Sequence, residues 1–221
     1  YIWLGIWATW LGVEGRRYSE RRFPIMTEAV PATVTSGSDW AEFGARWQTP
    51  GQNGVAHLFE HMAFKGAGGR DARRFAEAIE NVGGIVNAAT SYERTAYYAR
   101  VVAEHAPFAL NLIADILFAP HWAPDDLEKE KGVVAQERGE AFDVPDDRIF
   151  ELHQSALYAG QPLGRPILGE EETLRGVSIA TLEAFRDAHL SPERVVVVIA
   201  GAFDRTAALD AIEQRFGGLK Q

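Results

Sequence analysis

The chain has 221 residues, 47% of them hydrophobic and 24% charged, a composition typical of one large or two small globular domains and not of a disordered chain. Its net charge is −9 and no run of Lys or Arg forms a basic stripe, which argues against nucleic acid as a partner. Because the sequence has no cysteine, any metal ion must be held by histidine and carboxylate side chains. None of these features identifies the compartment.

The N-terminal part of the chain gives the weakest signals. The apolar stretch in residues 1–13 is about a dozen residues long, shorter than the roughly 20 that span a bilayer, so we expect no membrane span there. We treat residues 1–43 as a poorly defined N-terminal segment, and Ser, Gly and Asp predict a loop at residues 36–40. Without internal repeats or linkers, residues 44–221 are expected to form a single domain.

Two helices and a β-hairpin are predicted next along the chain. The first helix covers residues 53–65, with Asn53 as its N-terminal cap, and the second begins after Asp71 and ends at a pair of glycines. Residues 85–90 and 95–102 are rich in β-branched and aromatic side chains. They predict two strands joined by a tight turn.

The remaining elements are mostly helices. Helical spacing or capping predicts them at residues 106–118, from Pro124 to about residue 142, and after Pro145, Ser178 and Asp204. A Gly/Pro-rich loop covers residues 160–169, and residues 194–200 form a buried strand. The order of elements predicts an α/β (α+β) fold, in which a mixed, largely antiparallel sheet is covered by helices.

A pair of histidines lies on the first predicted helix. His57 and His61 are four residues apart and therefore share one helix face, where they can bind the same ion. Glu60 falls within the same arc of the helix at about 100° per residue. Two satisfied core or surface histidines are the plainer interpretation. Hydrolytic zinc takes three protein ligands and keeps a fourth position for water, so one more ligand is needed.

The long acidic helix offers candidates for that ligand. Glu130 and Glu137 are seven residues apart and return to nearly the same helix face, within about 20°. Val133 and Val134 between them indicate that this face is at least partly buried, and a buried carboxylate needs a partner such as a metal. A solvated helix face is the alternative, since acidic residues are frequent nearby.

Four segments in order along the chain resemble the inverted-motif zinc peptidases, the family of pitrilysin, insulin-degrading enzyme and the mitochondrial processing peptidase. They are HLFEHMAFKG, GGIVNAATSYERTAYYA, EKGVVAQE and VVVVIAG. The resemblance implies that His57, His61 and Glu137 bind Zn²⁺ and that Glu60 is the general base. It assigns Glu130 to catalysis as a supporting carboxylate that does not bind the ion itself.

The resemblance also implies a substrate-binding strand. Asn87, Ala88 and Thr90 would lie at an exposed sheet edge, where a peptide or small unfolded protein pairs through its backbone. A turn-forming role for Asn87 is an equally plain interpretation.

Two functions remain open from the sequence. The first is a zinc-dependent endopeptidase that acts with a second homologous domain or subunit, which members of the family use to close a substrate chamber. The second is a non-catalytic scaffold or peptide-binding subunit of a processing complex. The presence of Glu60 beside the two histidines favours the endopeptidase, because a scaffold needs no base.

Overall fold

The computed structural model describes residues 25–29, 34–41, 44–192 and 194–218, so the apolar stretch at residues 1–13 lies outside the described residues. The strands are β1 (Ile25–Ala29), β2 (Val34–Ala41), β3 (Gly66–Ala67), β4 (Arg70–Asp71), β5 (Ile85–Thr90), β6 (Thr95–Val102) and β7 (Val195–Gly201). The helices are α1 (Val55–Ala63), α2 (Ala72–Glu80), α3 (Ala106–Phe118), α4 (Pro124–Asp143), α5 (Pro145–Leu157), α6 (Glu171–Gly176), α7 (Ile179–His189) and α8 (Arg205–Phe216). Within these ranges, no helix has the length and hydropathy of a membrane span.

Five strands form the main sheet, in the order β1-β7-β2-β6-β5. β1 pairs with β7 in parallel, whereas β2 pairs antiparallel with both β6 and β7, and β5 pairs antiparallel with β6. The predicted mixed, largely antiparallel sheet is therefore confirmed. β5 lies at one edge of this sheet, and the short strands β3 and β4 form a separate two-stranded ribbon.

Helices cover one face of the sheet. Alternate residues of β6, from Thr95 to Val101, are buried on that face, as the period of two of a half-buried strand requires. The helices contribute further buried side chains to the same core, among them Leu58, Phe59, Ile113, Ile116, Leu182, Phe185, Ile212 and Phe216. Full burial of each such side chain contributes about 1.5–3 kcal/mol. This core fixes the position of α1 against the sheet.

The cap predicted for α1 is wrong. Gly54, with a φ of 92°, stands at the N-cap position, and Asn53 instead donates from Nδ2 to the Pro166 carbonyl at 2.9 Å. Gly54 packs against Gly169. A Cβ on Gly54 would come within 2.9 Å of the Gly169 Cα. The start of α1 is thus tied to the loop that precedes α6, a contact between residues more than a hundred positions apart.

The loop predicted at residues 36–40 is also wrong, because these residues lie inside β2. The strand pairs on both sides, with β6 and with β7. Backbone hydrogen bonds to two neighbours hold a strand whatever its side chains, so Ser, Gly and Asp are tolerated there. The sequence also gave no indication of α6 or of the two-residue strands β3 and β4.

Three predicted helix starts are confirmed by their hydrogen bonds. The Asp71 carboxylate accepts from the Arg74 backbone N–H at 2.8 Å, and the Asp204 carboxylate accepts from the Ala207 N–H at 2.9 Å. The Ser178 hydroxyl accepts from the backbone N–H three residues on, at 3.2 Å. Each satisfies one of the unpaired N–H groups at a helix start.

Candidate metal centre

Helix α1 presents both histidines on the side that faces α4. Its other side is buried in the core through residues such as Leu58, Phe59 and Met62. The rings of His57 and His61 stand one turn apart, with their centroids 4.6 Å from each other. The predicted pairing of the two histidines on one helix face is therefore what the structure shows.

Glu137 of α4 meets the two rings. Its Oε2 lies 3.7 Å from Nε2 of His57 and 3.4 Å from Nε2 of His61, and one ligand atom from each of the three residues lies within 4.8 Å of the others. Ligands at about 2.1 Å from a tetrahedral zinc ion are roughly 3.4 Å apart, which is close to both distances from Glu137. The Glu137 side chain is 40% exposed, which leaves one side of the cluster open to solvent.

Glu130 contacts the ring nitrogen of His61 that does not face Glu137. It is 7% exposed, and its Oε2 lies 3.0 Å from Nδ1 of His61. An Nδ1–H that donates to this carboxylate leaves the Nε2 lone pair pointing toward Glu137, the arrangement that metal-binding histidines commonly use. Lys65 forms an ion pair with the other Glu130 oxygen at 2.5 Å. Sequence reasoning did not find Lys65, although its spacing of four residues from His61 was a usable signal.

Burial sets the charge state of His57. Burial, and to a smaller extent the neighbouring His61, lower the pKa of His57 to about 4. His57 is therefore neutral near pH 7, and neutral imidazole is the form that binds a metal. Its Nδ1 is buried and has no hydrogen-bond partner among the described residues.

Glu60 lies beside the cluster in a partly buried position. Burial is the largest influence and raises the pKa of Glu60, while hydrogen bonds from the Thr90 hydroxyl and N–H and the charge of His61 oppose it. Its Oε2 is buried without a hydrogen-bond partner in the described structure. The Tyr97 hydroxyl is also buried and unpaired, and burial, with the nearby Glu60 charge, raises the pKa of Tyr97 well above its usual value.

The residues predicted to bind substrate lie on β5. The Ser91 N–H donates to the Arg94 carbonyl at 2.8 Å, so the strand's alternation turns the backbone N–H and C=O of Ala88 and Thr90 away from β6, toward the open edge. The Ala88 N–H donates to Oδ1 of Asn87 at 2.8 Å. Through Thr90 the edge contacts Glu60, whereas Asn87 and Ala88 show no contact with the metal cluster.

Comparison with known families covers most of the chain. A family model described as Insulinase (Peptidase family M16) matches residues 26–171, and one described as Peptidase M16 inactive domain matches residues 176–221. An uncharacterised zinc protease of Bacillus subtilis is 42% identical over 178 residues, which is 80% of this chain and 43% of that protein. One from Mycobacterium tuberculosis is 34% identical over 194 residues, 87% of this chain and 44% of that protein. The chain thus spans less than half of these relatives.

Solved structures agree on the fold. A protease from Helicobacter pylori matches with a TM-score of 0.82 at 21% identity, over 91% of this chain and 49% of that chain. An M16-like peptidase from Alicyclobacillus acidocaldarius matches with a TM-score of 0.80 at 26% identity, over the same shares. A peptidase M16 inactive domain from Pseudomonas fluorescens matches with a TM-score of 0.80 at 18% identity, over 89% of this chain and 48% of that chain.

Proposed function

The chain belongs to the insulinase family, peptidase family M16, and from this premise we propose that it is the zinc-binding part of an endopeptidase that hydrolyses peptide bonds. The proposal rests chiefly on one observation, the convergence of His57, His61 and Glu137 beside the partly buried Glu60. The names of the relatives, which are zinc proteases, support zinc as the metal. The presence of Glu60 as a base distinguishes this arrangement from a purely structural zinc site.

The chemistry assigns a role to each side chain. His57, His61 and Glu137 would hold Zn²⁺, which when bound supplies a Lewis acid and a water of lowered pKa. The unpaired oxygen of Glu60 would serve as the base that takes a proton beside the site and gives it to the leaving amine. A base whose pKa is raised by burial suits this task, because it can both take and return a proton near neutral pH. Glu130 keeps His61 in its orientation.

Substrate binding is proposed to occur along β5. The outward backbone groups of Ala88 and the outward carbonyl of Thr90, whose N–H already donates to Glu60, can pair with an extended peptide. Backbone pairing tolerates varied sequences, so the substrates are peptides or small unfolded proteins. The Ala88 side chain is 8% exposed, so Ala88 would contribute its backbone alone. Asn87 would release the Ala88 N–H when a peptide binds.

A second homologous domain or subunit is part of the proposal. The chain matches less than half of its relatives and of the solved structures. The matched region contains the metal cluster, and the remaining length of those proteins lies outside the match. We propose that a second domain covers the open side of the site and completes the substrate chamber.

A non-catalytic scaffold or peptide-binding subunit is the second candidate. It is favoured by the match of residues 176–221 to the inactive-domain model and by the similarity to the solved inactive domain. Both findings concern the C-terminal part of the chain or the fold, whereas the cluster and Glu60 lie within residues 26–171, which match the peptidase model. The two candidates differ in whether peptide is cleaved.

The test combines metal analysis with peptide cleavage, measured with and without the unmatched segment of the Bacillus subtilis relative as a separate chain. Glu60→Gln should retain about one zinc and lose cleavage at least roughly 10²-fold, because the metal remains and the base is gone. His61→Ala should lose both the zinc and the cleavage. Glu140→Gln, an exposed position on α4, is the control and should match wild type. Undiminished cleavage by Glu60→Gln would refute the role of the base.

A further inference from the structure

Helix α5 turns its apolar side toward solvent. Ile149, Phe150, Leu152 and Leu157 are 59%, 73%, 48% and 59% exposed, and none of the helix's thirteen residues is buried in the described structure. At about 100° per residue these four side chains occupy one broad arc. We call this arc the α5 apolar face.

The opposite side of α5, which faces the protein, is polar. Arg148, Glu151 and Gln154 are the less exposed residues of the helix and recur at the spacing of one helix face. Arg148 donates to Glu151 at 2.6 Å, and its guanidinium stacks over the Phe142 ring at 4.1 Å. The helix is therefore held by its polar side, which reverses the usual orientation of an amphipathic surface helix.

The α5 apolar face is large enough to be an interaction site. Its four side chains expose on the order of 400 Å², a size that on a monomer commonly marks a binding surface. A standard interface buries about 800 Å² on each partner, so the α5 apolar face would supply about half of one partner's share. A membrane surface is a poor partner, because Asp146 and Asp147 begin the same helix and anionic lipid repels them.

The polar side of α5 lies near the proposed substrate strand. α5 follows directly after α4, the helix that carries Glu137. Glu151 is close enough to Tyr92 to contribute to the raised pKa of that phenol, after the larger effect of burial. Tyr92 lies in the turn that joins β5 to β6, at the end of the strand proposed to bind substrate. A partner on the α5 apolar face would therefore cover the outer side of a helix whose inner side borders the end of the substrate strand.

We propose that the α5 apolar face is the surface on which the second homologous domain docks. This inference rests on the proposed function and adds the location of the contact. The relatives have more than half of their length beyond the matched region, which is enough chain for a domain of similar size. Aromatic and aliphatic side chains without charge at the centre are typical of permanent interfaces.

The experiment measures binding of the unmatched segment of the Bacillus subtilis relative, labelled with a fluorophore, to this chain. Wild type and Val102→Glu should bind equally, while Phe150→Glu should bind at least about tenfold more weakly, as expected when a central aromatic anchor is lost. Val102, 40% exposed at the end of β6, is the matched control for placing a charge at an exposed apolar position. A second variant, Ile149→Ser with Leu152→Ser, should also weaken binding. It tests the same face if Phe150→Glu misfolds.

Three results would overturn the inference. The first is failure of the segment to bind wild type, and the second is binding to Phe150→Glu as tight as to wild type. The third is a dimer of wild type alone that Phe150→Glu abolishes, which would assign the face to a second copy. Zinc content is measured in every variant, because the ligands and the α5 apolar face share no residue. Absent zinc with intact docking contradicts the proposed function alone, whereas intact zinc with absent docking contradicts the inference alone.

Discussion

At the scale of single residues, His61 links the two acidic residues of α4. Its Nδ1 faces Glu130 at 3.0 Å and its Nε2 faces Glu137 at 3.4 Å. One carboxylate thereby orients the ring while the other shares the proposed ion. Lys65 balances the charge of the more deeply buried of the two carboxylates. The two glutamates thus have different roles although they lie on the same helix face.

Replacement of Glu130 tests this division of roles. Glu130→Gln should weaken zinc binding about 10- to 100-fold without abolishing it, because His61 keeps its ligand atom but loses the carboxylate that fixes its orientation. Zinc affinity is measured by competition with a chromogenic chelator. Glu140→Gln, the same substitution at an exposed position of α4, should leave the affinity unchanged. Complete loss of zinc from Glu130→Gln would show that Glu130 is itself a ligand.

The residues of the site were predictable to different degrees. The spacing of His57 and His61 and the resemblance together led to the cluster that the structure brings together. The contact of Glu60 with Thr90 was not predictable, because it joins α1 to the edge of a sheet whose strand order a single sequence does not reveal. Nor could the sequence distinguish the exposure of Glu137 from the burial of Glu130, which depends on how α4 lies across α1.

At the scale of elements, the start of α1 depends on a contact between two glycines. Gly54 has a φ of 92°, and a Cβ on Gly169 would come within 2.6 Å of the Gly54 Cα. Both positions therefore require residues without a side chain. This contact sets the position of the helix that carries both histidines.

Gly54→Ala should lower the free energy of unfolding by about 1–3 kcal/mol, because the left-handed backbone is strained for alanine and the new methyl group meets Gly169. Gly139→Ala in the interior of α4 is the control. Its Cβ would meet nothing within 4 Å, so this change should raise the free energy of unfolding by up to about 1 kcal/mol. Urea denaturation measures both. An unchanged free energy of unfolding for Gly54→Ala would contradict the proposed packing of α1.

The edge strand β5 provides a test of substrate pairing. A peptide that binds the Glu60→Gln chain should lose at least about tenfold in affinity when backbone N-methyl groups block its pairing edge, because the ladder hydrogen bonds can no longer form. N-methylation at the opposite edge of the same peptide is the control and should have little effect. Fluorescence anisotropy gives both affinities. Equal loss at the two edges would contradict pairing along β5.

Most elements were predictable from residue 71 onward, and fewer before it. The bounds predicted for α3, β5 and β6 agree with the structure, since apolar periodicity and β-branched residues define them locally. β2 was missed because its Ser and Gly residues resemble a loop and only pairing with two neighbours makes them a strand. α6 was missed because six residues are too few to show a helical period.

At the scale of the whole molecule, the proposed zinc joins two separate parts of the fold. His57 and His61 lie on α1, which is anchored in the core, and Glu137 lies on α4, whose sole buried residues are Leu127, Glu130 and Val134. An ion held between the helices would therefore restrain α4 and, through it, α5. This connects the metal site to the α5 apolar face and to the proposed position of the second domain.

The central claim is that this chain binds one zinc through His57, His61 and Glu137. Its most direct test is the zinc content per chain after reconstitution and removal of free metal, measured by atomic emission for wild type and Glu137→Ala. We predict about one zinc in wild type and almost none in the variant, because two histidines alone hold the ion weakly. Wild type without zinc, or a variant with as much zinc as wild type, would contradict the claim.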